Sequence, residues 1–80
     1  MPQRLKTDRK VIGTKQLRKA LKANRIAAAY LADDADPMLL QPIAAQCAAA
    51  GVEVVHVRSM KELGTLCQIR VGAACAGLLR

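Results

Sequence analysis

Aromatic side chains are almost missing from this chain: no Phe, no Trp and one Tyr in 80 residues. A sheet or channel that stacks unpaired bases on aromatic rings is thereby excluded, because Tyr30 alone cannot form one. The core must come from Ala, Leu, Val and Ile, which suits thin layers packed closely. Acid is also scarce where base is plentiful. Arg4, Lys6, Arg9, Lys10, Lys15, Arg18, Lys19, Lys22 and Arg25 precede Ile26, against Asp8 alone. From Ile26 onward four basic residues face five acidic ones. The positive field of this +7 chain belongs to its N-terminal third. Solubility does not require such concentration, so the pattern points to a polyanionic partner.

Other absences narrow the function further. No apolar run is long enough to span a membrane, and the N-terminus is charged where a signal peptide is apolar. No membrane partner is expected. Cys47, Cys67 and Cys75 are odd in number, widely spaced and lack any CxxC, which argues against zinc and for small buried hydrophobes. Free thiols suit a reducing cytoplasm. There is no Walker loop and no GxGxxG. Asp33, Asp34 and Asp36 lack calcium-loop spacing, and helix capping accounts for Asp36. His56 is alone, without a nucleophile in a recognisable motif. Neither an enzyme, a cofactor, a metal nor a small-molecule substrate is expected. Eighty residues make one domain, 1–80, with residues 1–9 expected to be flexible.

What is present reads as alternating helix and strand. Leu17, Ala20 and Leu21 recur at helical spacing and predict a helix from Thr14 to Ala23. Lys15, Arg18, Lys19 and Lys22 make a second, basic stripe on it. The short apolar run Ala27–Ala32 predicts a buried strand. Asp36-Pro37 reads as N-cap and first helical residue. Pro42 should interrupt the helix begun there, leaving one turn and then a helix from Gln41 to Ala50 with Ile43, Ala44, Cys47 and Ala48 inward. Gly51 stops it. Val52–Val57 alternates and is rich in Val, as strands are. Ser59 and Glu62 fit a capping box that opens a helix to Cys67. Gln68–Gly72 is read as a loop and Ala73–Leu79 as the last strand. The order predicts a layered α/β sandwich.

One segment carries chemistry. Gly13 allows a tight turn and close approach of a ligand. The first helical amides are unpaired and lie at the positive end of the helix dipole, where a phosphate is a natural guest. Lys15, Gln16 and Lys19 add side-chain donors, and Gln16 can both donate and accept, as base edges require. Without aromatic platforms, recognition should rest on folded RNA shape, phosphates and a few base edges. Ile69 and Val71 could cover one exposed base; ordinary core packing is the competing reading.

IGTKQLRKAL (Ile12–Leu21), DADP (Asp34–Pro37), SMKELG (Ser59–Gly64) and IRVGAA (Ile69–Ala74) together resemble the kink-turn-binding ribosomal protein family L-seven-Ae, related to L-thirty-e. The resemblance runs from Val11 to Leu79 and is nearest the short bacterial, YbxF-like members. It implies a three-layer α/β/α sandwich around a mixed four-stranded sheet, the fourth strand lying near Lys10–Ile12. It also implies that the helix start enters a widened major groove at sheared G·A pairs. The family's Gly-x-Asn-Glu-x-x-Lys motif falls on Gly13, Lys15, Gln16 and Lys19. Lys15 has donors only and should seek guanine acceptors or phosphate. The family's apolar loop, which covers an extruded nucleotide, falls on Ile69, Arg70 and Val71. Arg70 stands where an acid is usual and should favour phosphate. Gln68 stands where Gly is usual. The RNA-binding residues expected are Gly13, Thr14, Lys15, Gln16, Lys19, Lys61, Ile69, Arg70 and Val71. The expected partner is a kink-turn in structured RNA, ribosomal RNA foremost, bound by a monomer. A protein-interaction module that keeps the fold without the RNA site is the alternative.

Overall fold

The computed structural model describes residues 9–80; the flexible start expected for residues 1–9 therefore falls mostly outside the described residues. The elements run β1 (Lys10–Ile12), α1 (Thr14–Lys22), β2 (Ile26–Ala32), α2 (Pro37–Ala50), β3 (Glu53–Val57), α3 (Met60–Leu66) and β4 (Cys75–Leu79). The strands form one mixed sheet in the order β1-β4-β2-β3. β4 is antiparallel to β1 and to β2, and β2 is parallel to β3. This is the expected three-layer sandwich. Leu17, Leu21, Ile43 and Cys47 pack α1 and α2 against Ala29, Leu31 and Cys75 on one face. Leu63 and Cys67 pack α3 against Ala28, Tyr30, Ala32 and Ala76 on the other.

A bulge sets which face receives Ile26. The β2–β4 register slips between Ile26 and Ala28, leaving Ala27 exposed between two buried neighbours. One extra residue reverses the alternation, so Ile26 joins the α1 side while Ala28 joins the α3 side.

The directions of the strands decide where function can sit. β1, β2 and β3 run the same way and β4 runs against them. Each helix follows one of the three co-directional strands. All three helices therefore begin at one end of the sheet, the end where β4 also begins.

Two expectations about α2 are corrected. The helix is continuous from Pro37 to Ala50, with Pro42 inside it. Pro42 deprives only the Met38 carbonyl of its helical partner, and Met38 is 78% exposed, so solvent can take that carbonyl. Ala44 and Ala48 are exposed rather than inward; Ile43 and Cys47 alone are buried in this helix. The last strand also starts later than Ala73, because the Ala73 amide is bonded to the Met60 carbonyl of α3. The cysteines are free and buried, as expected. Burial pushes all three thiols up, Cys75 to about 11.

Candidate nucleic-acid interface

Gly13 joins β1 to α1 in a conformation that suits no other residue. Its φ of 97° and ψ of 158° lie in a region essentially reserved for glycine. Its amide donates to the Cys75 carbonyl at 2.9 Å, which fixes the start of α1 to the start of β4. Its carbonyl accepts from Leu17, opening the helix. Having no side chain, Gly13 offers no cap to the amides of Thr14, Lys15 and Gln16. These three donors have no partner within the helix and lie at its positive end, the kind of place that takes an anion.

The basic stripe surrounds this end. Thr14, Lys15, Arg18, Lys19 and Lys22 of α1 line one depression of about 460 Å³ with Gln46 of α2. Arg18 Nε donates to Gln46 Oε1 at 3.3 Å. None of the four cations has a carboxylate partner among the described residues. Like charges recur along α1 at i,i+3 and i,i+4, which opposes the helix by roughly 0.2–0.5 kcal/mol per pair. Gln16 points to the other flank, where it lines a depression of about 280 Å³ with Lys19 and Arg25.

The second candidate segment reaches the same end of the sheet from the other layer. α3 closes at Cys67, and Gln68 follows with φ of 63°, left-handed as the family's usual glycine implies. For a residue with a Cβ this costs about 1 kcal/mol. The Gln68 and Ile69 amides bond back to Thr65 and Gly64. The chain then returns along α3 until Ala73 bonds to Met60. Two glycines permit this close passage. A Cβ on Gly64 would stand 2.1 Å from the Val71 carbonyl oxygen, and one on Gly72 would stand 3.2 Å from Met60 Cβ. The side chains of the loop divide in consequence. Val71 is 71% exposed and Arg70 is exposed, whereas Ile69 is half-buried against the α3 core.

Other bonds lace this end together. The Ala32 amide donates to the Ala74 carbonyl, and the Asp33 amide to the Val57 carbonyl. Asp34 Oδ1 accepts from the Met60 amide at 2.7 Å, and Ser59 Oγ accepts from Glu62, so α3 is capped from two sides. Asp36 caps α2 through the Met38 amide. Lys61, in the first turn of α3, is exposed on the layer opposite α1 and shares no depression with the basic stripe. The structure thus groups Gly13, Thr14, Lys15 and Lys19, sets Gln16 on their far flank, and places Arg70, Val71 and Lys61 on the α3 layer.

Three exposed apolar residues escaped the sequence reading. Met38, Leu39 and Met60, with Val71, are the large hydrophobics left open among the described residues, and all lie at helix starts or in the loop. The signal was available: α2 has more apolar residues in its first turn than one buried face can take. Gly64 was also missed, although a glycine inside a helix is costly without a packing reason. No catalytic grouping emerges among the described residues. His56 Nδ1 lies 3.2 Å from Asp33 Oδ1, with both side chains exposed. No group of three or more potential metal ligands occurs among the described residues, and no helix among them is long and apolar enough to cross a membrane.

Comparison with known proteins bears on the family and the fold. The sequence pattern of the ribosomal protein L7Ae/L30e/S12e/Gadd45 family matches residues 1–79. The chain is 46% identical over 70 residues to the RNA-binding protein GK0100 of Geobacillus kaustophilus, covering 88% of this chain and 85% of that protein. It is 44% identical, with the same coverage, to the RNA-binding protein YbxF of Geobacillus stearothermophilus. Among solved structures, the Giardia lamblia 15.5kD RNA binding protein superposes with a TM-score of 0.89 at 21% identity, over 99% of this chain and 67% of that one, which concerns the fold alone. By the match over residues 1–79 and by these relatives, this chain belongs to the L7Ae/L30e/S12e/Gadd45 family.

Proposed function

We propose that the protein binds structured RNA at a kink-turn, as a single-domain monomer associated with the ribosome in the cytoplasm. It acts by binding and not by catalysis. The observation that carries this reading is the joint at Gly13. One hydrogen bond to Cys75 holds an uncapped, cation-flanked helix start against the strand that the Ile69–Val71 loop feeds. Two segments distant in sequence can then meet one sharply bent RNA. The amides of Thr14 and Gln16, with the side chains of Lys15, Gln16 and Lys19, face the opened groove at the sheared pairs. Val71, with Ile69 behind it, covers the nucleotide pushed out at the kink. Arg70 and Lys61 reach phosphates on the α3 side. The names of the bacterial relatives as RNA-binding proteins support the class of ligand.

The test is a titration of one kink-turn RNA against a straight duplex of equal length. A preference for the kink-turn that survives rising salt is expected, because contacts to the bend are not all ionic. Affinities for the two that collapse together would refute recognition of the kink. Ribosome association is tested separately, by sedimenting ribosomes from cells and following the protein in the gradient.

A further inference from the structure

We infer that α1 is gripped by RNA on both flanks, and that the depression between α1 and α2 takes the phosphate backbone of a stem strand running beyond the kink. Arg18, Lys22 and Gln46 are the residues that hold it. The inference rests on the RNA-binding reading above and adds a second contact surface to it.

Two separate depressions border α1. The one toward β1 is lined by Gln16, Lys19 and Arg25. The one toward α2 is the larger and holds Lys15, Arg18, Lys19, Lys22 and Gln46. Lys19 is the only lining residue the two share, so it forms the ridge between them. A helix entering a major groove has one phosphate strand on each side. Paired cationic flanks of this kind match that geometry, whereas a helix that touched RNA only with its tip would need no charge at Lys22.

The α2 wall is made for an anion without being charged. Pro37–Ala50 contains no Lys, Arg, Asp or Glu, so no carboxylate of α2 competes for the cations opposite. Gln46 is half-buried, and its Oε1 is taken by Arg18 Nε at 3.3 Å. That bond orients the guanidinium and leaves its terminal N–H groups, with the two amide protons of Gln46, as donors. A fork held in this way suits phosphate oxygens. From Lys15 to Lys22 the helix rises about 10 Å, and a duplex strand carries a charge roughly every 3.4 Å of axis, so about three phosphates fit alongside. Repulsion among four cations lacking carboxylate partners is relieved by the same strand.

The experiment uses the full chain and its Arg18→Gln/Lys22→Gln variant. Both are titrated with kink-turn RNAs whose flanking stems, each lengthened in turn, have about four or about ten base pairs, the longer reaching past Lys22. The wild type should bind one long-stem RNA more tightly than its short-stem counterpart. The variant should lose about tenfold on that long-stem RNA, change less than about twofold on the short one, and flatten the salt slope by between about one and two. Lys22→Gln alone touches no described partner and guards against misfolding; it should lose about threefold on the long stem only. An equal loss on both stems, or none on either, overturns the inference. The wild-type ratio of kink-turn to straight duplex reports on the parent reading separately. A clear kink-turn preference with no stem-length effect would sink this inference and leave the other standing.

Discussion

Replacing Gly64 by alanine sets two effects against each other. Inside a helix, alanine is favoured over glycine by about 0.8–1.0 kcal/mol. At Gly64 the new Cβ would lie 2.1 Å from the Val71 carbonyl oxygen, 3.0 Å from its carbon and 3.1 Å from Gly72 Cα. All three atoms are backbone, so no rotamer change relieves the contact. The loop must retreat by more than an ångström to regain ordinary contact. Overpacking of this kind costs roughly 1–3 kcal/mol, so the helix gain is at best matched, and a net loss of about 1 kcal/mol is expected. The consequence for RNA is larger. A binding group must be held within about 0.5 Å of its productive place, and Arg70 and Val71 ride on the displaced segment. Kink-turn affinity should fall about tenfold, with helix content by circular dichroism unchanged. Gly72→Ala serves as the graded control. Its Cβ would meet Met60 Cβ at 3.2 Å and needs only a few tenths of an ångström, so both losses should be smaller. Urea unfolding and RNA titration of the two variants give the comparison. If Gly64→Ala is stabilised by the helix-propensity gain and binds RNA like the wild type, the loop does not rest on α3 and the reasoning is refuted.

Lys15→Ala and Lys19→Ala should each weaken kink-turn binding by about 1.5–3 kcal/mol, as charge-assisted contacts do; equal small losses for every lysine of α1 would indicate a diffuse charged surface instead. Ile69→Ala and Val71→Ala should separate. Half-buried Ile69 should cost roughly 1–2 kcal/mol of stability, read by urea unfolding, while open Val71 should leave stability within about 0.5 kcal/mol and lower affinity for RNA carrying the extruded nucleotide. The thiols predict an alkaline limit. Their folded pKa values are raised, so they contribute nothing to the pH dependence at neutrality. Above the ordinary value of 9.0 the unfolded thiols ionise first, and stability falls by up to about 1.4 kcal/mol per pH unit for Cys75 until about 11. Cys75→Ala should remove that part of the decline, and a slope unchanged by the substitution would refute it.

Caps and the alternation of helices and strands after Gly13 were legible in the sequence because they are local. Asp36-Pro37 and Ser59-x-x-Glu62 name their own amide partners; the Asp36 and Ser59 caps both form, while the return bond of the capping box, from the Ser59 amide to the Glu62 carboxylate, does not. Gly13 was legible too, since a glycine directly before a basic helix leaves the first amides uncapped beside cations. The fate of Pro42 was not. It depends on whether the Met38 carbonyl is left to solvent, which is a property of the assembled surface. Nor could α2 be phased, because nearly every residue in it is apolar and periodicity has nothing to contrast; Ala44 and Ala48 look as suited to the core as Ile43 and Cys47. The split between Ile69 and Val71 was equally hidden. Both are β-branched residues in a loop, and what separates them is the course of that loop along α3.

The shortage of large side chains bears on the interface as much as on the core. Where elements meet through alanine and glycine, backbone positions are fixed by direct contact and not by side chains that can adjust. On one layer, a Cβ at Gly77 of β4 would lie 2.5 Å from Leu17 Cδ1 and 2.8 Å from Ile26 Cδ1, so the glycine sets how near α1 stands to the sheet. On the other layer, Gly64 sets how near the loop stands to α3. The helix start and the loop are then joined at the entry to β4, by the bond from Gly13 to Cys75 in the strand and from Ala73, just before it, to Met60. Each segment is seated by an absent side chain and tied by a backbone bond. An arrangement of this sort gives a rigid span between two contact points, which is what a ligand recognised by its bend requires. On the function proposed above, a protein with one buried tyrosine would discriminate among RNAs by the fixed separation of its contacts, with no stacking surface needed.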